Sequence, residues 1–347
     1  MNYSYPLLSI VIPHYNNFSI LKECIESLSH ITYSNYEIII IDNCSEDNSY
    51  KLIKDNFKNV NVYKTKNNLG YAGGCNLGAS FATGNYLLFL NNDTIQNPDF
   101  LNHMVKNLDE NEKIASVQPK IKNFKNRDLF DYAGACGGYI DYLIYPFCRG
   151  RIFDTIEKDN MQYEESKDVF WTSGTCFLTR KSIFINLDGF DEKLFAHMEE
   201  IDFCWKCNLA DYKCIINPQS IIYHHGGKTL DYDSPYKKYL NHRNSLILLL
   251  SNYEFLNVVK IFPLRLLLEV ISSIKDLLSL KPLHFISHYL SILSLLNLPY
   301  ILKKRVVVKK IRVLSDSSLF NKKIIYSNSI VWDYFIRGKY FFNNLFN

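Results

Sequence analysis

The sequence Tyr86-Leu-Leu-Phe-Leu-Asn-Asn-Asp-Thr94 joins an apolar run to a short polar segment that contains an acid. A short apolar run bounded by polar residues is typical of a strand that is buried on both faces. Asp93 follows the run so closely that its carboxylate is held near the strand end and is only partly solvated. The stretch therefore predicts a buried strand with a chemically useful tip.

The same pattern occurs twice upstream. Residues 7–12 form one apolar, β-branched run, and Tyr36-Glu-Ile-Ile-Ile-Ile-Asp42 forms another that ends in an acid. Amphipathic stretches at about 17–29 and 71–81 predict helices between the strands. This alternation predicts the α/β class, with a mostly parallel sheet flanked by helices. Ligands of such sheets bind beyond the carboxyl ends of the strands, so the polar tips predict a binding site.

The rest of the chain divides by composition. From about residue 124 to 166 the periodic pattern weakens, and we expect an irregular segment lying over the sheet. After about residue 236 the sequence changes to long Leu- and Ile-rich helical stretches. We therefore predict an α/β domain over residues 1–240 and a mostly helical region over 241–347.

Composition excludes several protein classes. With 347 residues, 47% hydrophobic and 15% aromatic, the chain is neither disordered nor collagen-like. A formal net charge of +4 is too small to indicate nucleic acid as a partner. The nine cysteines are scattered, and the first residues lack a signal-peptide pattern, so we expect an unexported protein in a reducing compartment. No unbroken apolar stretch of about 20 residues predicts a transmembrane helix.

Two strand tips offer acids. Asp42 and Asp93 either cap the helices that follow them or serve chemistry. Around Asp93, the neighbours Asn91 and Asn92 add polar groups on a short turn. One or two carboxylates, completed by substrate phosphates, are how Mg²⁺ is usually held, which favours a metal site at Asp93.

A glycine-rich segment over residues 67–78 opens the predicted helix at 71–81. Glycine costs about 1 kcal/mol relative to alanine within a helix, so its repeated use indicates a close approach. The approaching group is either a ligand, such as a diphosphate at the helix N-terminus, or the sheet packed beneath the helix.

A third group of acids lies within one predicted helical turn, at Glu199, Glu200 and Asp202. They either complement the helix dipole or, with apolar walls raising a pKa, supply a general base. His224 ends an apolar run and is either a metal ligand or a structural histidine.

Taken in order, these segments resemble the family 2 glycosyltransferases of GT-A fold, most closely the bacterial rhamnosyltransferase-like members that build cell-surface polysaccharide. The resemblance spans about residues 6–245, and its matching segments are Ser9–Asn16, Ile41–Asp47, Asn68–Asn76, Leu90–Thr94, Ser173–Thr175, Gly189–Glu192, Glu199–Asp202 and His224–Gly227.

The resemblance implies roles for particular residues. The donor nucleotide would contact Pro13, Tyr15, Asp42, Asn43, Asn92 and the loop from Gly70 through Gly73 to Asn76. Asp93 would hold Mg²⁺ or Mn²⁺ with His224, or with His225 in its place, although Asn91 stands where the family has a first aspartate. Glu200 would be the catalytic base, with Glu199 as the alternative. The acceptor or diphosphate would contact Ser173, Gly174, Asp202 and Arg243.

The implied reaction is inverting transfer of a sugar, with rhamnose the nearest family analogy, from a nucleoside-diphosphate donor to a hydroxyl of a glycan or lipid-linked acceptor. The alternatives are a non-catalytic nucleotide-sugar-binding scaffold and, ranked last, a sugar-phosphate nucleotidyltransferase.

The C-terminal region carries six cations within residues 303–312, beside apolar helical stretches. Such a combination favours peripheral membrane binding, and we expect a cytoplasmic protein at the inner face of the cell membrane. An ordinary helical subdomain is the alternative. Nucleic acid is not expected, because no aromatic residues are interleaved with the basic run.

Overall fold

The computed structural model describes residues 6–226 and 233–346. Its strands are β1 (Leu8–His14), β2 (Tyr36–Asp42), β3 (Val60–Lys64), β4 (Tyr86–Leu90), β5 (Thr94–Gln96), β6 (Ile114–Asn123), β7 (Gly138–Asp141), β8 (Pro146–Cys148), β9 (Arg151–Ile152), β10 (Thr155–Ile156), β11 (Lys167–Val169), β12 (Cys176–Arg180), β13 (Lys213–His224) and β14 (Ile325–Tyr326).

The helices alternate with these strands at first and then follow one another. They are α1 (Phe18–Leu28), α2 (Ser49–Asn56), α3 (Gly70–Phe81), α4 (Phe100–Glu110), α5 (Lys181–Asn186), α6 (Glu199–Leu209), α7 (Pro235–Asn252), α8 (Phe255–Leu278), α9 (Pro282–Leu293), α10 (Leu298–Ile311), α11 (Asp316–Asn321) and α12 (Ile330–Phe335).

The main sheet has nine strands, in the order β11-β13-β6-β12-β4-β1-β2-β3, with β5 paired to β13. β1 runs parallel to both β2 and β4, and β2 runs parallel to β3. β12 is antiparallel to β4 and to β6. The predicted α/β class, with a central sheet flanked by helices, is confirmed. The sheet is mixed and not mostly parallel, with four parallel and four antiparallel strand pairs.

The sheet is buried on both faces because its strands have two apolar sides. On β1, Ile10 and Ile12 join a core formed with α1 and α4, whereas Val11 joins a core formed with α3. Successive strand residues point to opposite faces, so an uninterrupted apolar strand can support helices on both sides. This arrangement keeps the strand ends fixed relative to one another.

The segment between residues 124 and 166 corrects our expectation of irregular structure. It holds β7 to β10, which form a second, five-stranded sheet in the order β10-β9-β8-β7-β14. β14 comes from the far end of the chain and pairs in parallel with β7. Strands of two to four residues are too short to show a period of two in the sequence, which explains why the pattern looked weak.

The C-terminal region is mostly helical. α7 begins at Pro235, so the predicted boundary between residues 240 and 241 falls inside a helix, and the division into two domains stays a prediction. Within the described ranges, no single helix is long and apolar enough to cross a membrane. One pair of segments, residues 282–296 and 298–311, meets the criteria together but is bent by 70°.

Gly78 provides a test of the packing between α3 and β1. A Cβ atom at this position would lie 2.3 Å from Cγ1 of Val11. We expect Gly78→Ala to lower the free energy of unfolding by about 1–3 kcal/mol, because the sheet and the helix cannot separate without losing contacts. Urea denaturation measures the change.

Ser80→Ala, on the exposed face of the same helix, is the matched control and should change stability by less than about 0.5 kcal/mol. Adding Val11→Ala to Gly78→Ala should recover part of the loss relative to Val11→Ala alone. A Gly78→Ala protein as stable as the parent would contradict this account, since alanine is otherwise the better helix former.

Candidate functional site

The carboxyl ends of β1, β2 and β4 meet at one edge of the sheet. His14 at the end of β1 lies in register with Asp42 at the end of β2. Asn91, Asn92 and Asp93 form the turn that leaves β4. The parallel pairing therefore gathers three separate polar tips into one place, as the sequence predicted.

Asp42 and Asn43 lie at the end of β2, at this edge of the sheet. Asp42 is fully buried, and its Oδ1 accepts a hydrogen bond from the Ser45 backbone N–H at 2.9 Å. Its Oδ2 has no hydrogen-bond partner among the described residues. A buried carboxylate oxygen without a partner is costly unless a ligand satisfies it, which supports a donor-binding role for Asp42.

The resemblance implies that Asn43 contacts the nucleotide, but its side chain hydrogen-bonds the glycine-rich loop. Its Oδ1 accepts from the Leu69 N–H at 2.8 Å, and its Nδ2 donates to the Gly70 carbonyl at 2.9 Å. The amide thus joins the end of β2 to the glycine-rich loop. Its direct contact with a nucleotide stays a prediction.

Beside Asp42, the end of β1 contributes three residues. Pro13 and Tyr15 are half-buried and keep their predicted place near the strand tips. His14 is buried between them, and its Nδ1 lies 2.8 Å from Nδ2 of Asn92. Burial lowers the pKa of His14 to about 4, so its ring is neutral near pH 7. The pair fixes the orientation of the turn that holds Asp93.

Asp93 and His224 face each other although they are far apart in sequence. Pairing of β5 with β13 places Thr94 opposite His224, and Nε2 of His224 lies 3.1 Å from Oδ1 of Asp93. Both residues are buried. His225 points elsewhere, with its ring stacked on Phe124 at a centroid distance of 3.9 Å. Of the two histidines that the sequence offered, His224 is the one beside Asp93.

A third residue, Asp131, orients His224. Its Oδ1 lies 2.9 Å from Nδ1 of His224, and it is buried. A carboxylate on the second ring nitrogen is the usual support of a metal-binding histidine. Two adjacent ligands of a cation held at about 2.1 Å are about 3 Å apart, which matches the separation of Nε2 and Oδ1. Asp93 and His224 can therefore hold a divalent cation.

The charges at this pair favour a cation. Burial alone would lower the pKa of His224, but Asp93 and Asp131 outweigh it and raise the pKa to about 10. Burial would raise the pKa of Asp93, and the positive His224 lowers it instead. The two carboxylates thus stabilise the protonated imidazole, and a cation bound at Nε2 would displace that proton.

Glu199 and Glu200 open α6, after a loop in which Phe195, His197 and Met198 all have positive φ. One carboxylate oxygen of each glutamate has no hydrogen-bond partner among the described residues. Burial raises the pKa of Glu199 well above its ordinary value, and the neighbouring Glu200 raises it further. Burial also raises the pKa of Glu200, to about 7, against opposing backbone hydrogen bonds.

The loop at residues 173–175 links the two halves of the site. The Thr175 carbonyl accepts a hydrogen bond from the Asn91 backbone N–H at 2.9 Å. The backbone of Gly174 lies close enough to the Glu200 carboxylate to oppose the rise of its pKa. Ser173 is anchored through its Oγ to the Ala133 carbonyl at 2.8 Å. The turn that leaves β4 and Glu200 of α6 therefore both lie next to this loop.

Three residues that were predicted to contact a ligand have side chains that are hydrogen-bonded or ion-paired within the protein. Asn76 pairs with the backbone of Phe190 through both ends of its amide, at 2.8 and 3.0 Å. Asp202 accepts from Asn252 at 2.9 Å and pairs with Lys304 at 2.6 Å.

Arg243 is engaged in the same way, because its Nη2 donates to the carbonyls of Lys193 and Leu194 at 2.9 Å. Asn76, Asp202 and Arg243 therefore brace the site instead of facing an open ligand pocket. Their predicted contacts with donor, acceptor or diphosphate gain no support from this geometry.

The glycine-rich loop is also explained in part by packing. Gly70 has φ +71°, and a Cβ there would lie 2.4 Å from the Phe195 carbonyl oxygen. At Gly73 the nearest atom to an added Cβ is the Leu69 Cβ, at 2.7 Å. Closure of the loop over a nucleotide stays a prediction. Gly227, the last residue of the histidine motif, lies outside the described residues.

Asp131 is not predicted from the sequence, and His14 lies within the matching segment Ser9–Asn16 without a predicted role. Asp131 lies in the segment whose pattern was too weak to interpret, so no local signal marks it. His14 had a signal, because a histidine at the end of a buried strand is unusual among apolar neighbours.

Asp131→Asn tests the support of His224. We expect Mn²⁺ affinity, measured by electron paramagnetic resonance titration, to fall about 10- to 100-fold, because the histidine loses its charged partner. Asp128→Asn, an exposed change three residues away, is the matched control. Equal affinities for the two variants would show that Asp131 does not orient a metal ligand.

Comparison with known proteins agrees with this geometry. Residues 9–188 match the family model described as glycosyl transferase family 2. The chain is 22% identical over 263 residues to N-acetylglucosaminyl-diphospho-decaprenol L-rhamnosyltransferase of Mycobacterium tuberculosis, covering 72% of this chain and 85% of that protein. It is 25% identical over 251 residues to uncharacterized protein y4gI of Sinorhizobium fredii, covering 67% of this chain and only 26% of that protein.

Among solved structures, that of GalNAc-T7 with UDP, GalNAc and Mn²⁺ matches with a TM-score of 0.59 and 17% identity, covering 73% of this chain and 49% of that one. At this identity the likeness concerns the fold alone, and it confirms the predicted GT-A fold. Since the family model spans half of the sequence, the chain belongs to glycosyl transferase family 2, a family of glycosyltransferases.

Proposed function

We propose that this chain transfers a sugar, with inversion, from a nucleoside-diphosphate donor to an acceptor hydroxyl. The observation that carries the proposal is the placement of two different chemical groups around one loop. Asp93 and His224 face each other at the turn that contacts Thr175, and the Glu200 carboxylate lies near the backbone of Gly174 in the same loop. Leaving-group stabilisation and general-base catalysis are the two requirements of this reaction.

On this proposal the donor diphosphate lies at the Asp93 side. Asp93 and His224 would hold Mg²⁺ or Mn²⁺, and the phosphates would complete its ligands. Such a cation supplies charge stabilisation for the departing nucleoside diphosphate. The unpartnered oxygen of Asp42 is available to a hydroxyl or N–H of the nucleoside. The Mn²⁺ and UDP in the GalNAc-T7 structure support this choice of cation and donor class.

Glu200 is the better candidate for the base. An efficient base has a pKa close to the working pH, and the pKa of Glu200 is raised to about 7. Burial and the neighbouring Glu200 also raise the pKa of Glu199, which stays the alternative base. Glu200 would take the proton of the acceptor hydroxyl as that oxygen attacks the anomeric carbon and the bond to the leaving phosphate breaks.

The sugar and the acceptor are proposed from a relative. The Mycobacterium tuberculosis protein is named for transfer of L-rhamnose to a lipid-linked N-acetylglucosaminyl diphosphate. We infer a rhamnose-like donor and a lipid-linked or glycan acceptor in cell-surface polysaccharide synthesis. A cytoplasmic position at the inner face of the membrane would follow from such an acceptor.

Glu200→Gln and Asp93→Ala test the two halves of the proposal. We expect Glu200→Gln to lower the transfer rate about 10²- to 10⁴-fold while nucleotide binding is kept, because only the base is lost. Asp93→Ala should abolish metal-dependent nucleotide binding. Calorimetry with dTDP, UDP and GDP, with Mn²⁺ and with chelator, measures binding. Release of nucleoside diphosphate with a lipid-linked acceptor measures transfer.

Glu112→Gln, an exposed acid away from the site, is the control. Transfer that survives both Glu200→Gln and Asp93→Ala would refute the mechanism. Metal-dependent nucleotide binding without turnover on any acceptor would instead favour a nucleotide-sugar-binding scaffold. This alternative stays open because Asn91 and Glu200 stand where the family has aspartates.

The raised pKa of Glu200 predicts a pH profile. The base acts only when it is deprotonated, so log(kcat/KM) should rise with pH below about 7 and level off above it. Glu200→Gln should remove this rise. A profile of the parent that is flat from pH 5 to 8 would contradict the assignment of the base.

A further inference from the structure

α8 is inverted relative to an ordinary amphipathic helix. Its buried side carries Arg265, Glu269 and Asp276, whereas Leu267 and Ile271 are 54% and 52% exposed. A helix at the surface of a water-soluble protein normally shows the opposite pattern, with polar residues facing outward. The apolar side of α8 therefore requires a covering that the described residues do not provide.

α9 shows the same inversion. His284, Ser287, His288 and Ser291 are all buried. Its exposed side carries Leu283, Ile286, Leu290 and Leu293. More exposed large apolar side chains lie between residues 255 and 306 than in all other described parts of the chain. So many exposed apolar side chains in one part of the chain indicate an interaction surface.

Most of the polar side chains between the helices are paired, which stabilises the inversion. Glu269 pairs with Arg265 on its own helix, with His242 of α7 and with His288 of α9. His288 also lies 3.1 Å from Asp276, which in turn pairs with Lys238. These ion pairs join α7, α8 and α9 from within and leave their apolar side chains outward.

The charges around the patch select its partner. The segment 255–312 is described throughout, and its two acids, Glu269 and Asp276, are both buried. Its exposed ionic side chains are all cationic, namely Lys260, Lys275, Lys281, Lys303, Lys309 and Lys310, of which Lys281 pairs with the exposed Asp233. A second copy of this surface would bring like charges together, whereas an anionic lipid headgroup layer complements them.

We propose that the outer faces of α8, α9 and α10 dock on an anionic lipid bilayer. The exposed leucines and isoleucines enter the acyl boundary, and the lysines lie at the headgroups. α10 contributes exposed Leu302 and Val306 next to Lys303.

This docking face is directly connected to the site. Lys304, on the buried side of α10, pairs with Asp202 of α6, one turn from Glu199. The bilayer would then lie close to the end of the site that receives the acceptor. That consequence rests on the proposed function and on a lipid-linked acceptor, but the docking itself does not.

Vesicle flotation of the full chain, without donor or acceptor, tests the docking. We expect binding to phosphatidylcholine vesicles that contain phosphatidylglycerol, and weaker binding without it. The triple change Leu267→Glu, Ile271→Glu and Ile274→Glu should weaken partitioning more than about a hundredfold, since three apolar side chains leave the lipid. Ile185→Glu, at an equally exposed apolar position on α5 (59%), is the matched control and should bind normally.

A second set separates charge from apolar burial. Changing Lys303, Lys309 and Lys310 to glutamine should weaken binding to the anionic vesicles on the order of a hundredfold, and binding to neutral vesicles much less. Calorimetric nucleotide binding and the melting temperature should stay unchanged in both sets, which separates this proposal from the proposed function.

Absence of binding to the anionic vesicles, or binding that the triple glutamate change leaves intact, would overturn the proposal. So would a concentration-dependent dimer that the same change dissociates, because the patch would then be a contact between copies.

Discussion

The parallel pairing of β1 with β2 and β4 is the constraint on which the rest of the site depends. It brings the carboxyl ends of three strands to one edge, with His14 in register with Asp42. β1, β2 and β4 are apolar on both sides. A shift in their register would therefore leave apolar side chains in both cores but would move the polar tips relative to one another. The backbone hydrogen bonds thus fix the distances between groups that the sequence places far apart.

The helices after residue 233 complete the site from its other side. Asn244, fully buried on α7, donates to the carbonyls of Leu194, Ala196 and His197, just before Glu199. That loop contains residues with positive φ, a conformation that is unfavourable for side chains of this kind. Its strain is tolerated because the surrounding helices determine the backbone path. Removing one partner of a buried ion pair such as Asp202 and Lys304 costs about 3–5 kcal/mol, so the C-terminal region contributes to the stability of α6.

Buried polar atoms without partners cluster at the site. Among the described residues they include Oδ2 of Asp42, Nε2 of His14 and one carboxylate oxygen on each of Glu199 and Glu200. Each such atom costs about 1–3 kcal/mol in a protein without ligand. Their concentration where the strand tips and α6 meet is the expected cost of a surface shaped for a polar substrate.

The sequence by itself determined the α/β class and the order of the first strands and helices, because apolar periodicity is a local property. It also marked Asp93, Glu199 and Glu200 as candidate site residues, because an acid just after a strand or at the start of a helix can be seen in the local sequence. It could not show that Asn76, Asp202 and Arg243 are engaged by the protein's own backbone and side chains, because such contacts join residues 49 to 114 positions apart. Nor could it reveal the second sheet, whose strands are too short for a period. Only the tertiary structure shows that His224 and not His225 lies beside Asp93, that Asp131 contacts His224, and that the polar side of α8 faces inward. Each of these placements depends on which distant segment packs against the residue.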